Sequence, residues 1–187
     1  MKQMKKRLLA LMLALAAVLT LAGCTLDFSG EEEADTRTWA TAGGSITLPE
    51  DMDATARFAT QQVDGTMYVV FNGIQKRDTG YFTAPGGTLT FTACATAEAD
   101  NLQQFKIAVW KQVEGGTQYV DGGTIYVKTD GTCYTYTLEG LDPAASYRLT
   151  LSYDKTAYYM YGQVKVEGIA ALGAAPEETD SGAASEA

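Results

Sequence analysis

The residues that could carry chemistry are three cysteines, Cys24, Cys94 and Cys133, in a chain of 187 residues that contains no histidine. Without histidine there is no Ser-His-Asp or Cys-His catalysis and no histidine-ligated metal. Three cysteines cannot form a four-cysteine metal site, and the loop with Asp51 and Asp53 lacks the ligand spacing of a calcium loop. The sequence therefore predicts no catalytic residue, no metal and no cofactor.

Cys24 ends a segment with the features of an export signal. Met1–Arg7 is basic, and Leu8–Leu21 is an apolar run of about 14 residues, shorter than the ~20 that a membrane-spanning helix needs. The run ends in Leu21-Ala22-Gly23-Cys24, which resembles the lipobox of bacterial lipoproteins at every position. The resemblance implies cleavage before Cys24, acylation of its sulfur and anchoring by lipid on the extracytoplasmic face of a cell membrane. The alternative is a secretory signal with a chance cysteine.

The charge of the exported part argues against one class of partner. The whole chain carries a net charge of −9, with 14 basic and 23 acidic side chains. Residues 1–23 contain four of the basic residues and no acidic one, so their removal leaves 10 basic residues and a net charge of −13. Because phosphate backbones repel such a body, we expect no binding to nucleic acid.

Four segments follow from composition. Residues 1–23 are the predicted signal peptide. Residues 24–38 are polar and acidic, which predicts a flexible tether. Residues 170–187 are acidic, small and low in complexity, which predicts a disordered tail. The predicted folded domain is then 39–169.

Within this domain, apolar and polar residues alternate, which is the period of β-strands. Turn residues such as Pro85-Gly86-Gly87 and Asp130-Gly131 separate the runs. The pattern predicts an all-β fold, an antiparallel sandwich of two sheets. The predicted strands are Ser45–Leu48, Thr66–Phe71, Thr88–Ala95, Phe105–Val109, Thr124–Lys128, Cys133–Leu138, Tyr147–Tyr153 and Tyr158–Glu167.

A segment near the C-terminal end of the domain suggests a strand order. Gly140–Tyr147 resembles the Gly-Leu-x-Pro-x-x-x-Tyr segment of fibronectin type III domains, and the resemblance covers residues 80–168. In that family a tyrosine at the start of a strand bonds back to the backbone of the preceding corner. The tryptophan that the family has on an early strand is missing, and residues 39–79 are unaccounted for. A jelly roll is therefore the alternative to the immunoglobulin-like order.

In the immunoglobulin-like order, the strands that begin at Phe105, Thr124, Tyr147 and Tyr158 share one sheet. Alternation then points an aromatic row away from the core, with Arg148 among its neighbours. Such a face suits sugar rings or a protein partner, whereas the alternative is that aromatic residues are simply common in strands. The candidate binding residues are Trp110, Tyr126, Tyr159, Tyr161 and Arg148.

Cys94 and Cys133 form a possible disulfide. Alternation points both cysteine side chains away from the core, on the same side of their strands as neighbouring threonines. In the immunoglobulin-like order these two strands are adjacent in one sheet. Directly opposed residues on neighbouring strands lie within the range that a disulfide accepts. The alternative is two unpaired cysteines at different heights on the sheet.

Three functions remain compatible with these features. The first is a non-catalytic surface module that binds a glycan or a protein. The second is a structural or accessory lipoprotein of the envelope that acts only through protein contacts. The third is a hydrolase without histidine, for which the sequence contains no specific motif. The sequence favours the first, with the membrane as a partner through the lipid.

Overall fold

The computed structural model describes residues 35–98, 103–153, 159–170 and 172–173. The predicted signal peptide and Cys24, most of the predicted tether and most of the predicted tail lie outside these residues. The described part contains strands and turns but no helix, and so no helix suited to crossing a membrane. Its strands are β1 (Thr38–Trp39), β2 (Thr41–Ala42), β3 (Phe58–Val63), β4 (Thr66–Ile74), β5 (Lys76–Asp78), β6 (Phe82–Thr83), β7 (Leu89–Ala97), β8 (Gln104–Val113), β9 (Gly116–Lys128), β10 (Asp130–Leu138), β11 (Ser146–Ser152) and β12 (Met160–Glu167).

These strands form two sheets. Sheet 1 has the order β1-β9-β8-β11-β5, with β6 also paired to β11, and sheet 2 has the order β2-β10-β7-β12-β4-β3. All of these pairings are antiparallel except that of β1 with β9. The two-sheet β-sandwich predicted from the alternation is confirmed. Ser45–Leu48, however, is not a strand.

The strand order is that of a jelly roll. If β4, the β5–β6 pair and β7 to β12 are counted as eight consecutive positions, sheet 2 reads 1-8-3-6 with β3 and β2 at its margins, and sheet 1 reads 2-7-4-5. The immunoglobulin-like order is wrong for the last strand, because β12 lies between β7 and β4 in sheet 2. Its expected place beside β11 is taken by β5 and β6.

The core lies between the sheets and is built by alternation along each strand. Phe71 of sheet 2 meets Phe105 of sheet 1 with ring centroids 5.8 Å apart, and both side chains are almost fully buried. Each such side chain contributes roughly 1.5–3 kcal/mol by leaving water. Other fully buried core residues include Met67, Ile74, Leu89, Ile107, Ile125, Leu149, Val164 and Val166.

The corner before β11 has the tyrosine geometry that the fibronectin resemblance implies. The Asp142 backbone N–H donates to the Tyr147 hydroxyl at 2.8 Å, and this hydroxyl donates to the Asp142 carbonyl at 3.1 Å. The same corner therefore occurs here in a jelly roll, where it fixes the start of β11 without determining the strand order.

One short segment covers an edge of each sheet. Thr38 and Trp39 pair with β9 in sheet 1, and Thr41 and Ala42 pair with β10 in sheet 2. Ala40, between them, packs against the core, and its N–H donates to the Tyr126 carbonyl at 2.9 Å. The segment thus protects two strand edges that would otherwise expose backbone donors and acceptors.

Candidate functional site

The five predicted face residues divide between the two sheets. Trp110 on β8, Tyr126 on β9 and Arg148 on β11 lie on the outer face of sheet 1, because their sequence neighbours Val109, Ile125 and Leu149 are fully buried. Tyr161 lies on β12 in sheet 2, and Tyr159 directly precedes that strand. The single five-residue face is therefore wrong, since parity distinguishes inside from outside but does not tell which sheet a strand joins.

Tyr126 is part of an aromatic and cationic group at the β1 edge of sheet 1. Trp39 is directly opposite Tyr126 in the parallel pairing, and the two ring centroids are 5.7 Å apart. The Arg37 guanidinium lies 4.8 Å from the Trp39 ring centroid and 5.3 Å from that of Tyr126. Such cation–π contacts hold the two rings and the charge together on one surface.

Trp110 forms a second aromatic pair, with Tyr119. Their ring centroids are 5.6 Å apart in an edge-to-face arrangement, and the Tyr119 hydroxyl donates to Thr124 Oγ1 at 2.7 Å. Trp110 pairs with Tyr119 whereas Ala108 pairs with Thr124, so four residues of β9, 120–123, bulge out between them. This bulge brings Tyr119 onto the Trp110 face.

Arg148 lies directly opposite Trp110 on the neighbouring strand. Its guanidinium pairs with the Asp78 carboxylate, Nη1 to Oδ2 at 3.1 Å, and lies 5.8 Å from the Tyr81 ring centroid. Asp78 also accepts a hydrogen bond from the Thr150 hydroxyl at 2.5 Å. Two polar atoms on this face, Trp110 Nε1 and Arg148 Nε, are buried without a hydrogen-bond partner in the structure.

The outer face of sheet 1 can be described as three rows that cross the strands. The first row is aromatic and cationic, the second is small and polar, and the third is again aromatic and cationic. We call this surface the aromatic face. Its rows are Trp39-Tyr126-Lys106-Ser152-Lys76, then Thr124-Ala108-Thr150-Asp78, then Tyr119-Trp110-Arg148.

The middle row is covered by its neighbours. Ala108 and Thr150 are each only 6% exposed, although they point away from the core. Side chains of the flanking rows must therefore lean over them. The result is a platform of rings and charges that spans β1, β9, β8, β11 and β5.

A separate groove of about 260 Å³ lies beside the β8–β9 hairpin and is lined in part by Lys111, Asp142 and Tyr119. Lys111 Nζ pairs with Asp142 Oδ2 at 2.9 Å. This hydrogen bond lowers the pKa of Asp142 and raises the pKa of Lys111. Both groups are thereby held in their charged forms, which does not suit Asp142 to donate a proton. No group of three or more cysteine, aspartate or glutamate residues suited to a metal ion occurs in the described part of the chain.

The other sheet carries the cysteine pair. Cys94 on β7 is directly opposite Cys133 on β10, and the structure joins them in a disulfide with their Cα atoms 4.2 Å apart. Tyr161 and Gly162 line a shallow groove next to Cys94.

Sequence reasoning missed Trp39, Tyr119 and Arg37 on the aromatic face. Trp39 reaches the face through a two-residue parallel strand, which has no alternation to detect. Tyr119 lies between two Gly-Gly turns and reaches the face through a bulge. The signal available for Tyr119 was the segment Thr117–Val120 (TQYV), which lies before Gly122-Gly123. This segment extends a strand back toward the first glycine pair, Gly115-Gly116.

Comparisons with known proteins give weak likenesses. No protein-family model and no curated protein matches this sequence. Among solved structures, the CBM22-1 and GH10 modules of a Clostridium thermocellum endo-1,4-beta-D-xylanase complexed with xylohexaose superpose with a TM-score of 0.37 at 13% identity, over 67% of this chain and 27% of that chain. The CBM36-1 domain of a multidomain xylanase from the hindgut metagenome of Trinervitermes trinervoides superposes with a TM-score of 0.32 at 16% identity, over 72% of this chain and 92% of that chain. Neither likeness is close enough to assign a family or a ligand.

Proposed function

We propose that this chain is a membrane-anchored, extracytoplasmic lipoprotein whose β-sandwich is a non-catalytic module that binds a glycan on the aromatic face. The anchor rests on the lipobox at Leu21–Cys24. The binding role rests on one observation, the clustering of four aromatic rings and an arginine on the outer face of a single sheet.

The chemistry of this face suits a sugar. A sugar ring offers C–H groups on its flat side and hydroxyls around its rim, so it can pack on an aromatic ring while its hydroxyls form hydrogen bonds. Trp110 Nε1 and Arg148 Nε are donors without a protein partner. A sugar hydroxyl oxygen is the kind of acceptor that these two donors lack.

The same face suits a protein partner less well. The core of a protein interface is depleted in lysine, whereas the aromatic face carries Lys106 and Lys76 beside its rings. Among the described residues, the exposed large apolar side chains are divided between the two sheets: Val113 and Tyr119 are on sheet 1, Val63 and Tyr161 are on sheet 2, and Tyr159 directly precedes β12. An accessory envelope lipoprotein that acts through protein contacts remains the second candidate.

Tryptophan fluorescence tests the proposal directly, because both tryptophans of the chain lie on the aromatic face. We expect a glycan array to give a ligand that changes this fluorescence on titration. Trp110→Ala should weaken binding by about 1–3 kcal/mol, the range of an aromatic anchor. Tyr161→Ala, an exposed aromatic on sheet 2, is the matched control and should leave affinity unchanged.

Two results would contradict the proposal. One is the absence of any glycan ligand together with co-purification of an envelope protein, which would favour the accessory role. The other is glycan binding that Tyr161→Ala removes and Trp110→Ala does not. If Trp110→Ala fails to fold, Trp39→Ala replaces it, because Trp39 is partly exposed at the edge of the sheet.

A further inference from the structure

The basic residues of this acidic protein are unevenly distributed between its sheets. The strands of sheet 1 carry six basic and two acidic residues, whereas those of sheet 2 carry one basic and two acidic residues. The residues of sheet 1 are Lys76, Arg77, Lys106, Lys111, Lys128 and Arg148, with Asp78 and Asp121; those of sheet 2 are Lys165, with Asp130 and Glu167. A net charge of −13 makes this concentration of positive charge on one sheet notable.

Most of that positive charge faces outward among the aromatic rings. Lys106 is opposite Tyr126 and Ser152, and Lys76 is opposite Ser152, so the two lysines belong to the first row of the aromatic face. Lys128 has the same parity as Tyr126 and is exposed. Arg37 lies over the Trp39 and Tyr126 rings.

The placement of these charges fits a repeating ligand. Lys106 on β8 and Lys76 on β5 are separated by β11, which places them two strand spacings, or roughly 10 Å, apart along one row. Tyr126 lies next to Lys106 in this row, Ser152 separates Lys106 from Lys76, and the third row adds Tyr119 and Trp110 on the same face. A ligand that matches this surface carries both rings and negative charges along its length.

On this basis we infer that the glycan is anionic, a polysaccharide of uronic acids whose sugar rings pack on the aromatic side chains while its carboxylates pair with the exposed Lys76 and Lys128. This inference rests on the proposed function and specifies its ligand. A uronic acid has its ring and its carboxylate on the same residue, as the mixed rows require. A polyol phosphate has the charge but not the rings, and an acidic peptide has no regular array of sugar rings to stack.

The remainder of the protein reinforces the selectivity. The strands of sheet 2 carry one basic and two acidic residues, so that sheet offers a polyanion no net attraction, and the polymer is directed to sheet 1. Asp78 is the acidic residue that the strands of sheet 1 place in these rows, and its charge is paired with Arg148.

The experiment compares polygalacturonate with its fully methyl-esterified form, which keeps the rings and removes the charge. With the mature protein and tryptophan fluorescence as the readout, we expect the acid form to bind ~10-fold or more tightly than the ester. Raising the salt from low to high concentration should weaken binding of the acid form alone, because salt screens charge pairs at the surface.

Two sets of variants locate the effect. Lys76→Gln combined with Lys128→Gln removes two exposed charges from the outer face of sheet 1 and should weaken acid binding roughly 5-fold or more, with a much smaller effect on ester binding. Lys165→Gln removes a lysine from sheet 2 and is the control with no expected effect. Trp110→Ala should weaken both forms.

The outcomes separate this inference from the proposed function. If the ester binds as tightly as the acid and Trp110→Ala weakens both, the glycan module stands and the anionic ligand is wrong. If poly-L-glutamate competes as well as polygalacturonate, charge alone is recognised and the uronic acid assignment is wrong. If neither polymer binds while a neutral glycan does so through Trp110, the inference again fails and the proposed function survives.

Discussion

The Tyr147 hydroxyl stabilises the corner before β11 by two hydrogen bonds to a single residue. It accepts from the Asp142 N–H and donates to the Asp142 carbonyl, and the tyrosine side chain is 1% exposed. Its ring also packs 6.4 Å from that of Phe82, so the residue links the corner to the core. The hydroxyl therefore has a structural role that is separate from the role of the ring.

Tyr147→Phe tests that role. The change keeps the ring and removes both hydrogen bonds, leaving two backbone groups of Asp142 without this partner. We expect a loss of about 1–3 kcal/mol in the free energy of unfolding, measured by urea denaturation. Tyr161→Phe, on an exposed tyrosine, is the control, and an equal loss in both variants would contradict the assignment.

Single residues also show how far the sequence could predict the site. Alternation correctly places Tyr126 and Arg148 on an outer face, because each lies between two buried neighbours, and it places Trp110 there because Val109 before it is buried. Alternation does not place Tyr159 and Tyr161 on the correct sheet. Tyr161 is on β12, and β12 pairs with β4 in sheet 2. β4 lies in the segment that the fibronectin resemblance does not cover. Alternation misses Trp39 and Tyr119 because pairing register and bulges depend on long-range contacts.

Among the elements, β12 depends on one glycine. Gly162 follows a register shift between Met160 and Tyr161, and a Cβ added there would lie 2.3 Å from the Cys94 carbonyl oxygen and 2.8 Å from the Ala95 Cα. Both atoms are backbone of β7, which cannot move without disturbing the centre of sheet 2. The glycine thus allows β12 and β7 to pair closely.

Gly162→Ala should therefore destabilise the domain by at least about 1–3 kcal/mol, the cost of forcing extra atoms into a packed structure. Thermal unfolding followed by circular dichroism measures the effect. Gly116→Ala is the matched control, because a Cβ at Gly116 meets nothing within 4 Å. A Gly162→Ala protein as stable as the control would show that β12 can shift away from β7.

A disulfide links the neighbouring strands β7 and β10, and its presence can be tested. The disulfide between Cys94 and Cys133 joins residues separated by 39 positions. Thiol titration of the unfolded, unreduced mature protein should find no free thiol from this pair. Cys94→Ser combined with Cys133→Ser should cost about 2–4 kcal/mol of stability. Two titratable thiols per chain would contradict the bridge.

At the level of elements, the sequence predicted local strands better than their partners. The runs from Thr88 to Leu138 and at Tyr147 alternate regularly, and each corresponds to a strand of the structure. The proximity of the two cysteine strands also follows, because β7 and β10 are adjacent in the immunoglobulin-like and jelly-roll orders alike. The place of β12 could not be predicted, because it depends on the pairing of other strands. β5 and β6 occupy the edge of β11, and β12 instead pairs with β4 and β7.

For the whole molecule, the proposed location depends on a single cysteine. Cys24→Ala should abolish acyl labelling and stop maturation at the lipoprotein signal peptidase step, because the lipobox then lacks its acceptor sulfur. Metabolic labelling with a radioactive fatty acid, together with mass spectrometry of the mature N-terminus, measures both effects. An unmodified N-terminus at another position in the wild-type protein would contradict lipid anchoring.

The segment that covers both sheet edges has a mechanical consequence. If lipid holds the chain at its N-terminus while a polymer is bound on sheet 1, any pull on the polymer is transmitted to the anchor through β1. That strand has only two residues, and its register partners Ile125 and Tyr126 belong to the sheet that carries the proposed ligand face. The force would then pass within sheet 1, from β8 through β9 to β1, without crossing the core. The hydrogen bonds between β1 and β9 would then break first. Their loss would lengthen the tether between the lipid and the domain before the domain itself unfolds.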